Sequence, residues 1–224
     1  MLAWSGGKDA AWTLHALRQR GDVEVVALLS SITTEYGRSS MQGVRRDVLQ
    51  LQADAAGLPL LEASIPAACD NATYEATMAR ALAEAGARWP GLRTAAFGDL
   101  LLEDLRTWRE AQCARVGWEV ATPLFGSDTA RLARDMAAGG LRAGLCCVDT
   151  QQLDASFAGR NFDPALLDAL PDGVDPCGEN GEFHTCVWAG PMFSRPLALA
   201  RGETVLRDGR FAYTDFRLRK PAAP

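Results

Sequence analysis

The sequence predicts an α/β fold: a doubly wound, mostly parallel sheet with a smaller mixed α+β domain behind it. Three observations carry that prediction. A glycine-rich turn, Ser5-Gly6-Gly7-Lys8-Asp9, joins a short apolar lead-in directly to a helical pattern. Short apolar runs then alternate with amphipathic helical stretches to about residue 125, the pattern of right-handed strand–helix–strand crossovers. Beyond that point the chain changes to turns and strands, with Asp208-Gly209 marking a hairpin between residues 204–206 and 211–213. The expected division is therefore a nucleotide-type domain over residues 1–125 and a smaller domain over 126–224, packed firmly because no Pro/Ser-rich linker separates them.

Each element has its own signal. Residues 1–4 read as a short first strand, about four residues where a central strand usually has five or six, which suggests a trimmed start. Residues 8–19 place Ala11, Leu14 and Leu17 on one apolar stripe, and Gly21 falls where a helix C-cap belongs. Residues 23–29 (Val-Glu-Val-Val-Ala-Leu-Leu) read as a buried strand, followed by a polar loop over 30–42. A helix with Val44, Val48, Leu51 and Ala55 stops at Gly57 and Pro59, and residues 60–63 give a third strand. Residues 71–87 form a helix with Tyr74, Met78 and Leu82 on one side, and residues 94–97 a fourth strand ending at Gly98-Asp99. A helix to about Val116 and a strand over 119–123 complete the first domain. In the second, Ser127 or Asp128 caps a helix; residues 141–148 are a strand, and a short helix lies near 164–170.

The bulk properties narrow the class. The 224 residues, 48% hydrophobic and 23% charged with a net charge of −5, describe an ordinary globular chain and disfavour nucleic acid or anionic membrane as general partners. No apolar run reaches the roughly 20 residues of a membrane span, and no basic-then-apolar leader precedes Ser5. Cys69, Cys113, Cys146, Cys147, Cys177 and Cys186 form no paired C-x-x-C motif, so a reduced, cytoplasmic protein is expected. The preference for arginine over lysine, with abundant alanine, points to a GC-rich and most simply bacterial coding sequence.

Two stretches carry chemistry. Glycines let backbone approach a ligand closely, and the amides opening a helix form an anion site to which lysine adds a compact charge. Only two of the 23 basic residues are lysines, and one of them is Lys8, inside this turn. Ser5, Ser30 and Gly98 all fall at strand carboxyl ends, where doubly wound sheets bind ligands. Some 170 residues on, Asp175-Pro176-Cys177-Gly178-Glu179-Asn180-Gly181-Glu182-Phe183-His184-Thr185 gathers carboxylates, an amide, an imidazole and a hydroxyl around two glycines. Such a cluster can bind an amine, hold Mg²⁺ or move a proton through His184. Strand alternation would turn Glu182 and His184 to one face. Between the two, Asp99, Glu103, Arg106 and Glu110 recur at helical spacing and offer a polar wall for an acceptor or a solvated salt-bridged face.

Ser5 to Asp9 resembles the pyrophosphate-binding loop of the N-type ATP pyrophosphatases, and Gly178 to Thr185 resembles the C-terminal signature of their diphthine–ammonia ligase branch. Residues 52–60 and 122–126 are similar to that branch too, so the likeness covers nearly the whole chain. It implies a Rossmann-like first domain. It also implies activation of a carboxylate by ATP as an acyl-adenylate, release of pyrophosphate, and capture by ammonia to give an amide. On that reading Ser5, Gly6, Gly7, Lys8, Asp9 and Ala10 bind phosphates, with Asp9 helping to hold Mg²⁺. Leu29, Ser30, Gly98 and Asp99 border the nucleotide. Lys8, Asp9, Glu182 and His184 act in catalysis, while Glu103, Arg106, Gly178, Glu179, Asn180, Gly181, Glu182 and Thr185 face the acceptor. Ala10 departs from the family loop, which usually has serine there; one hydroxyl contact to phosphate is lost, about 1 kcal/mol. The archaeal and eukaryotic acceptor is a modified histidine on elongation factor two. A bacterial chain would lack it, so the carboxylate acceptor is unidentified, whether small molecule or protein side chain.

The expectation is an ATP-dependent carboxylate–ammonia ligase, with a homodimer left open. Two other classes stand beside it: a nucleotide-binding regulator that senses ATP or AMP without turnover, and a tRNA thiolase-type enzyme. Cys146-Cys147 hints at sulfur transfer, but adjacent strand residues point to opposite faces.

Overall fold

The computed structural model describes residues 1–219. Its first sheet has five parallel strands, β1 (Leu2–Ala3), β2 (Leu28–Thr33), β4 (Leu60–Ile65), β5 (Thr94–Ala96) and β6 (Glu119–Ala121), side by side as β4-β2-β1-β5-β6. A two-residue strand, β3 (Arg38–Ser39), pairs antiparallel with Ile32 and Thr33, beyond the reach of the short β1. This is the doubly wound, Rossmann-like α/β sheet that the alternation predicts.

Alternation along β1 explains the two layers. Leu2 and Trp4 point to the face covered by α1 (Lys8–Arg20) and α2 (Arg46–Ala56), where Leu14, Val48 and Leu49 join them. Met1 and Ala3 point the other way, to the cluster with Leu82 and Ala85 of α3 (Asn71–Arg88) and Cys113 of α4 (Glu103–Ala114). Gly21 ends α1 and Gly57 ends α2 in the left-handed conformation, as glycine C-caps do.

The second sheet is antiparallel, ordered β8-β7-β10-β9, from β7 (Arg142–Asp149), β8 (Phe183–Ala189), β9 (Leu199–Arg207) and β10 (Phe211–Leu218). Asp208 and Gly209 both have positive φ (53° and 62°), the type I′ geometry expected of that hairpin. Helices α5 (Thr129–Ala138) and α6 (Pro164–Asp168) precede and follow β7, each opened by an aspartate, Asp128 and Asp163, that accepts from a backbone amide.

A single apolar cluster runs from Leu2, Leu14 and Leu49 through Leu145, Phe183 and Phe216, so the two sheets share one core. Polar ties add to it. Asp215 on β10 accepts from Arg38 at 2.9 Å and from Arg45 at 2.8 Å, and this pairing holds its carboxyl below the usual range.

One strand lies elsewhere than expected. Residues 23–27 are not in a strand, and β2 instead takes in Ser30 and Ser31, which the sequence reading gives to a loop. Their hydroxyls have partners: Ser30 Oγ donates to the Trp4 carbonyl, and Ser31 pairs with Ser40. Satisfied hydroxyls cost a buried strand little. Among the described residues no helix is long and apolar enough to cross a membrane.

Candidate functional site

The loop between β1 and α1 is shaped by contacts its glycines alone allow. Gly6 has φ +82°, and a Cβ there would lie 2.8 Å from Leu49 Cδ2 and 2.9 Å from Gln52 Oε1. Gly7 is extended and is the N-cap of α1 without a side-chain cap. The Gly7 amide donates to Ser5 Oγ at 3.2 Å and the Lys8 amide to Thr185 Oγ1 at 2.9 Å. Hydroxyl oxygens thus occupy positions that an anionic oxygen would take. Opposite, Gly98 follows β5, and a Cβ on it would come within 2.8 Å of the Asp9 carbonyl carbon and 2.9 Å of Ala10 N.

Lys8 is 2% exposed, and its ammonium turns to the second half of the chain. Nζ donates to both Asp9 oxygens at 2.9 Å and to the Cys177 carbonyl, and it sits 5.8 Å and 5.5 Å from the ring centroids of Phe162 and Phe183. Burial alone would pull its pKa down; Asp9 above all, with Glu179, outweighs that and holds it above the ordinary lysine value. Burial also pushes the Cys177 thiol up to about 12, so it is no thiolate at neutral pH.

The segment from Asp175 to Thr185 is a turn that holds itself together and then enters β8. Gly178 has φ +68°, and a Cβ there would lie 2.6 Å from the Phe183 carbonyl oxygen. Glu182 is buried, accepting from the Asp175 amide at 2.8 Å, the Asn180 amide at 2.9 Å and Asn180 Nδ2 at 3.2 Å. Its carboxylate is spent on the turn. The common face expected for Glu182 and His184 is not formed, because β8 begins at Phe183 and Glu182 belongs to the turn before it. Glu179 reaches across instead: Oε1 accepts from the Leu100 amide at 3.0 Å, and burial raises its carboxyl against that amide's pull. Burial, with the Lys8 charge, pulls His184 down to about 4, so its imidazole is neutral at pH 7.

These parts line one cleft of about 670 Å³, within the range of small-molecule sites. Ser5, Gly7, Lys8, Asp9 and Ala10 form one wall and Gly178, Glu179, Asn180, Gly181, His184 and Thr185 the other, with Leu29, Gly98 and Asp99 between. Gly6 and Ser30 stand just behind it, holding the loop and β2. Glu182, Glu103 and Arg106 do not line the cleft. Of the helical stripe only Glu103, Arg106 and Glu110 share a helix, as a solvated, salt-bridged face: α4 starts at Glu103, so Asp99 lies outside it. Arg106 pairs with Glu110 at 2.9 Å, while Arg109 turns inward to Asp99 at 2.8 Å with its guanidinium 4.3 Å over Phe97.

Sequence reasoning misses two residues. Arg109 is one. Gln52 is the other, fully buried beneath the glycine loop. Its Oε1 accepts from Trp4 Nε1 at 2.9 Å, and its Nε2 donates to the Gly6 carbonyl at 3.0 Å and the Val187 carbonyl at 2.7 Å. The Val187 amide also donates to the Gly6 carbonyl, at 3.0 Å. A glutamine among Val48, Leu49, Ala53 and Ala56 on the buried side of α2 was the available signal.

Comparison with known proteins bears on this arrangement. Residues 1–120 match the family described as the diphthamide synthase N-terminal domain, and residues 128–214 its C-terminal domain. The chain is similar to a diphthine–ammonia ligase of Schizosaccharomyces pombe, 30% identical over 219 residues, covering 90% of this chain and 36% of that protein. It is also similar to a diphthine–ammonia ligase of Danio rerio, 26% identical over 235 residues, covering 95% of this chain and 91% of that one. The chain thus spans about a third of the yeast relative's length and most of the fish relative's.

Proposed function

Because the chain belongs to the diphthine–ammonia ligase-like family, we propose that this ATP-dependent ligase adenylates a carboxylate and transfers the acyl group to ammonia. The observation that carries the reading is the shared cleft, where the glycine loop faces the Gly178–Thr185 turn and the Lys8 amide rests on Thr185. Residues 1–125 would hold the nucleotide and 126–224 most of the acceptor site.

In the first step an acceptor carboxylate oxygen attacks the α-phosphorus, the bond to pyrophosphate breaks, and acyl-adenylate forms. Ammonia then attacks the acyl carbon, the bond to AMP breaks, and the amide forms as nitrogen gives up a proton. The loop amides and the Lys8 ammonium are the groups to oppose charge on the departing pyrophosphate. For that, Ser5 and Thr185 hydroxyls yield their amides to phosphate oxygens. Asp99 and Arg109 form a charged pair at the cleft wall that can orient the acceptor. Neutral His184 lines the cleft and can take a proton, and Glu179 ties the turn to the loop after β5. Glu182 acts at one remove, by holding that turn.

Among the described residues no group of three or more His, Cys, Asp or Glu side chains could hold a metal ion. Mg²⁺ would enter here as a companion of the nucleotide, liganded by phosphates and waters, with Asp9, which lines the cleft, holding one of those waters. Bound so, it would offset charge on the pyrophosphate.

The test is product identity. With ATP, Mg²⁺, ammonium and a panel of carboxylic acids, AMP and pyrophosphate are expected only with the right acid, and Lys8→Ala is expected to lose ATP binding by calorimetry. ADP and phosphate as products, or full ATP affinity in Lys8→Ala, would overturn the proposal. Tight AMP binding without turnover on any acid would instead mark a nucleotide sensor.

A further inference from the structure

The group that Lys8 places in its buried seat is an alkylammonium, and the seat is built for one. A carboxylate (Asp9), a main-chain carbonyl (Cys177) and two aromatic faces (Phe162 and Phe183) surround Nζ. Both rings are 1% exposed, so the seat is closed from behind by apolar surface. Glu179 adds negative charge close to Lys8, and Asp175 close to Asp9.

We propose that this seat, filled in the structure by the Lys8 side chain, is the ammonium site of the enzyme, taken by free ammonium when Lys8 moves to the phosphates of a bound nucleotide. The inference rests on the ligase reading. Its physical core is charge balance. Triphosphate offers Lys8 several anionic oxygens, whereas in the seat Asp9 is the one carboxylate in contact with Nζ and Glu179 and Asp175 act from farther off, so the nucleotide competes for Lys8. The departure of Lys8 leaves the Asp9 carboxylate partly buried beside Asp175 and Glu179 without its cation, a costly state that another cation relieves.

The seat selects which cation that is. Mg²⁺ demands an octahedron of oxygens and sheds water reluctantly. This seat offers one carboxylate, one carbonyl and two rings. Ammonium has four N–H bonds, three of which can reproduce the contacts that Lys8 makes to both Asp9 oxygens and the Cys177 carbonyl, and the Phe162 and Phe183 faces, 5.8 Å and 5.5 Å from that position to their centroids, attract an ammonium-type cation. Because Asp9 and Lys8 both line the cleft, ammonium held here stands beside the phosphate loop where an acyl-adenylate would form.

The probe is ¹⁵N-labelled ammonium chloride, read as a slowly exchanging bound signal by proton–nitrogen NMR. Lys8→Ala, shown to be folded by circular dichroism, is expected to bind ammonium without nucleotide, because the seat is vacated by the substitution. Wild type is expected to bind it only with Mg²⁺ and α,β-methylene-ATP, which cannot be adenylated from. Adding Phe183→Leu is expected to weaken ammonium binding about three-fold in either setting. No bound signal in folded Lys8→Ala overturns the proposal, as does a signal in that variant but never in nucleotide-bound wild type. Displacement by potassium as readily as by unlabelled ammonium also overturns it, by making the seat a general monovalent-cation site. If Lys8→Ala does not fold, nucleotide-bound wild type decides. If wild type binds no nucleotide by calorimetry, the ligase reading fails separately, and the Lys8→Ala arm still judges the seat.

Discussion

Gln52→Leu removes the amide that ties the Ser5–Asp9 loop to both halves of the chain while nearly conserving volume. The Trp4 indole N–H loses its 2.9 Å acceptor and the Val187 carbonyl its 2.7 Å donor. The Gly6 carbonyl loses one donor but keeps the Val187 amide at 3.0 Å. An orphaned buried polar group costs about 1–3 kcal/mol, and a carbonyl tolerates under-satisfaction better than an N–H. The expected loss is therefore about 3 kcal/mol, a sizeable share of the roughly 5–15 kcal/mol that stabilises a typical domain. For a chain of this size each kcal/mol moves Tm by about 2–4 °C, giving a fall of about 6–12 °C by calorimetry. Nucleotide binding should weaken as well, because Gly6 is free to shift beneath the loop; about ten-fold in Kd by titration calorimetry corresponds to 1.4 kcal/mol. A stability loss below about 0.5 kcal/mol, within the range of ordinary surface substitutions, would refute the reasoning. So would a destabilised variant with wild-type nucleotide affinity.

Gly98→Ala puts a methyl 2.8 Å from the Asp9 backbone, so the loop after β5 and the first turn of α1 must part; it should cost about 1–3 kcal/mol and weaken ATP at least several-fold by calorimetry, and unchanged affinity would displace the nucleotide from this strand end. Thr185→Val deletes the acceptor of the Lys8 amide and should destabilise by about 1–3 kcal/mol in urea unfolding, whereas Thr185→Ser retains the bond; equal stability of the pair would deny its importance. His184 titrates near 4 when folded and near 6.5 when unfolded, so between those values the unfolded chain binds the extra proton. Stability therefore rises with pH across that window, by about 3 kcal/mol at most from this group. Unfolding measured at pH 4.5 and 7.5 should show a smaller difference for His184→Gln than for wild type, and an unchanged difference would contradict the burial of a neutral imidazole.

Much of this protein is legible in its residues because the signals are local. A Gly-Gly-Lys turn before an amphipathic stripe, glycine C-caps at 21 and 57, and Asp208-Gly209 each constrain their own few residues, and each lies where the sequence places it. The chain of strands and helices follows from periodicity, and so does the doubly wound sheet. Tertiary contacts decided the rest. Ser30 and Ser31 join a strand rather than a loop because Trp4 and Ser40 meet their hydroxyls. Arg109, not Arg106, reaches Asp99, because α4 begins four residues after Asp99 and that offset is invisible to a helical spacing rule. Glu182 and Glu179 are near neighbours of one residue type, yet the first is folded into its own turn and the second spans to the loop after β5. The sequence alone placed Lys8 in a glycine turn that opens a helix. Which groups surround its ammonium depended on bringing Cys177, Phe162 and Phe183 within reach, more than 150 residues along the chain. Backbone conformation is set by neighbours in sequence, whereas the partner of a buried charge is set by what the fold packs against it.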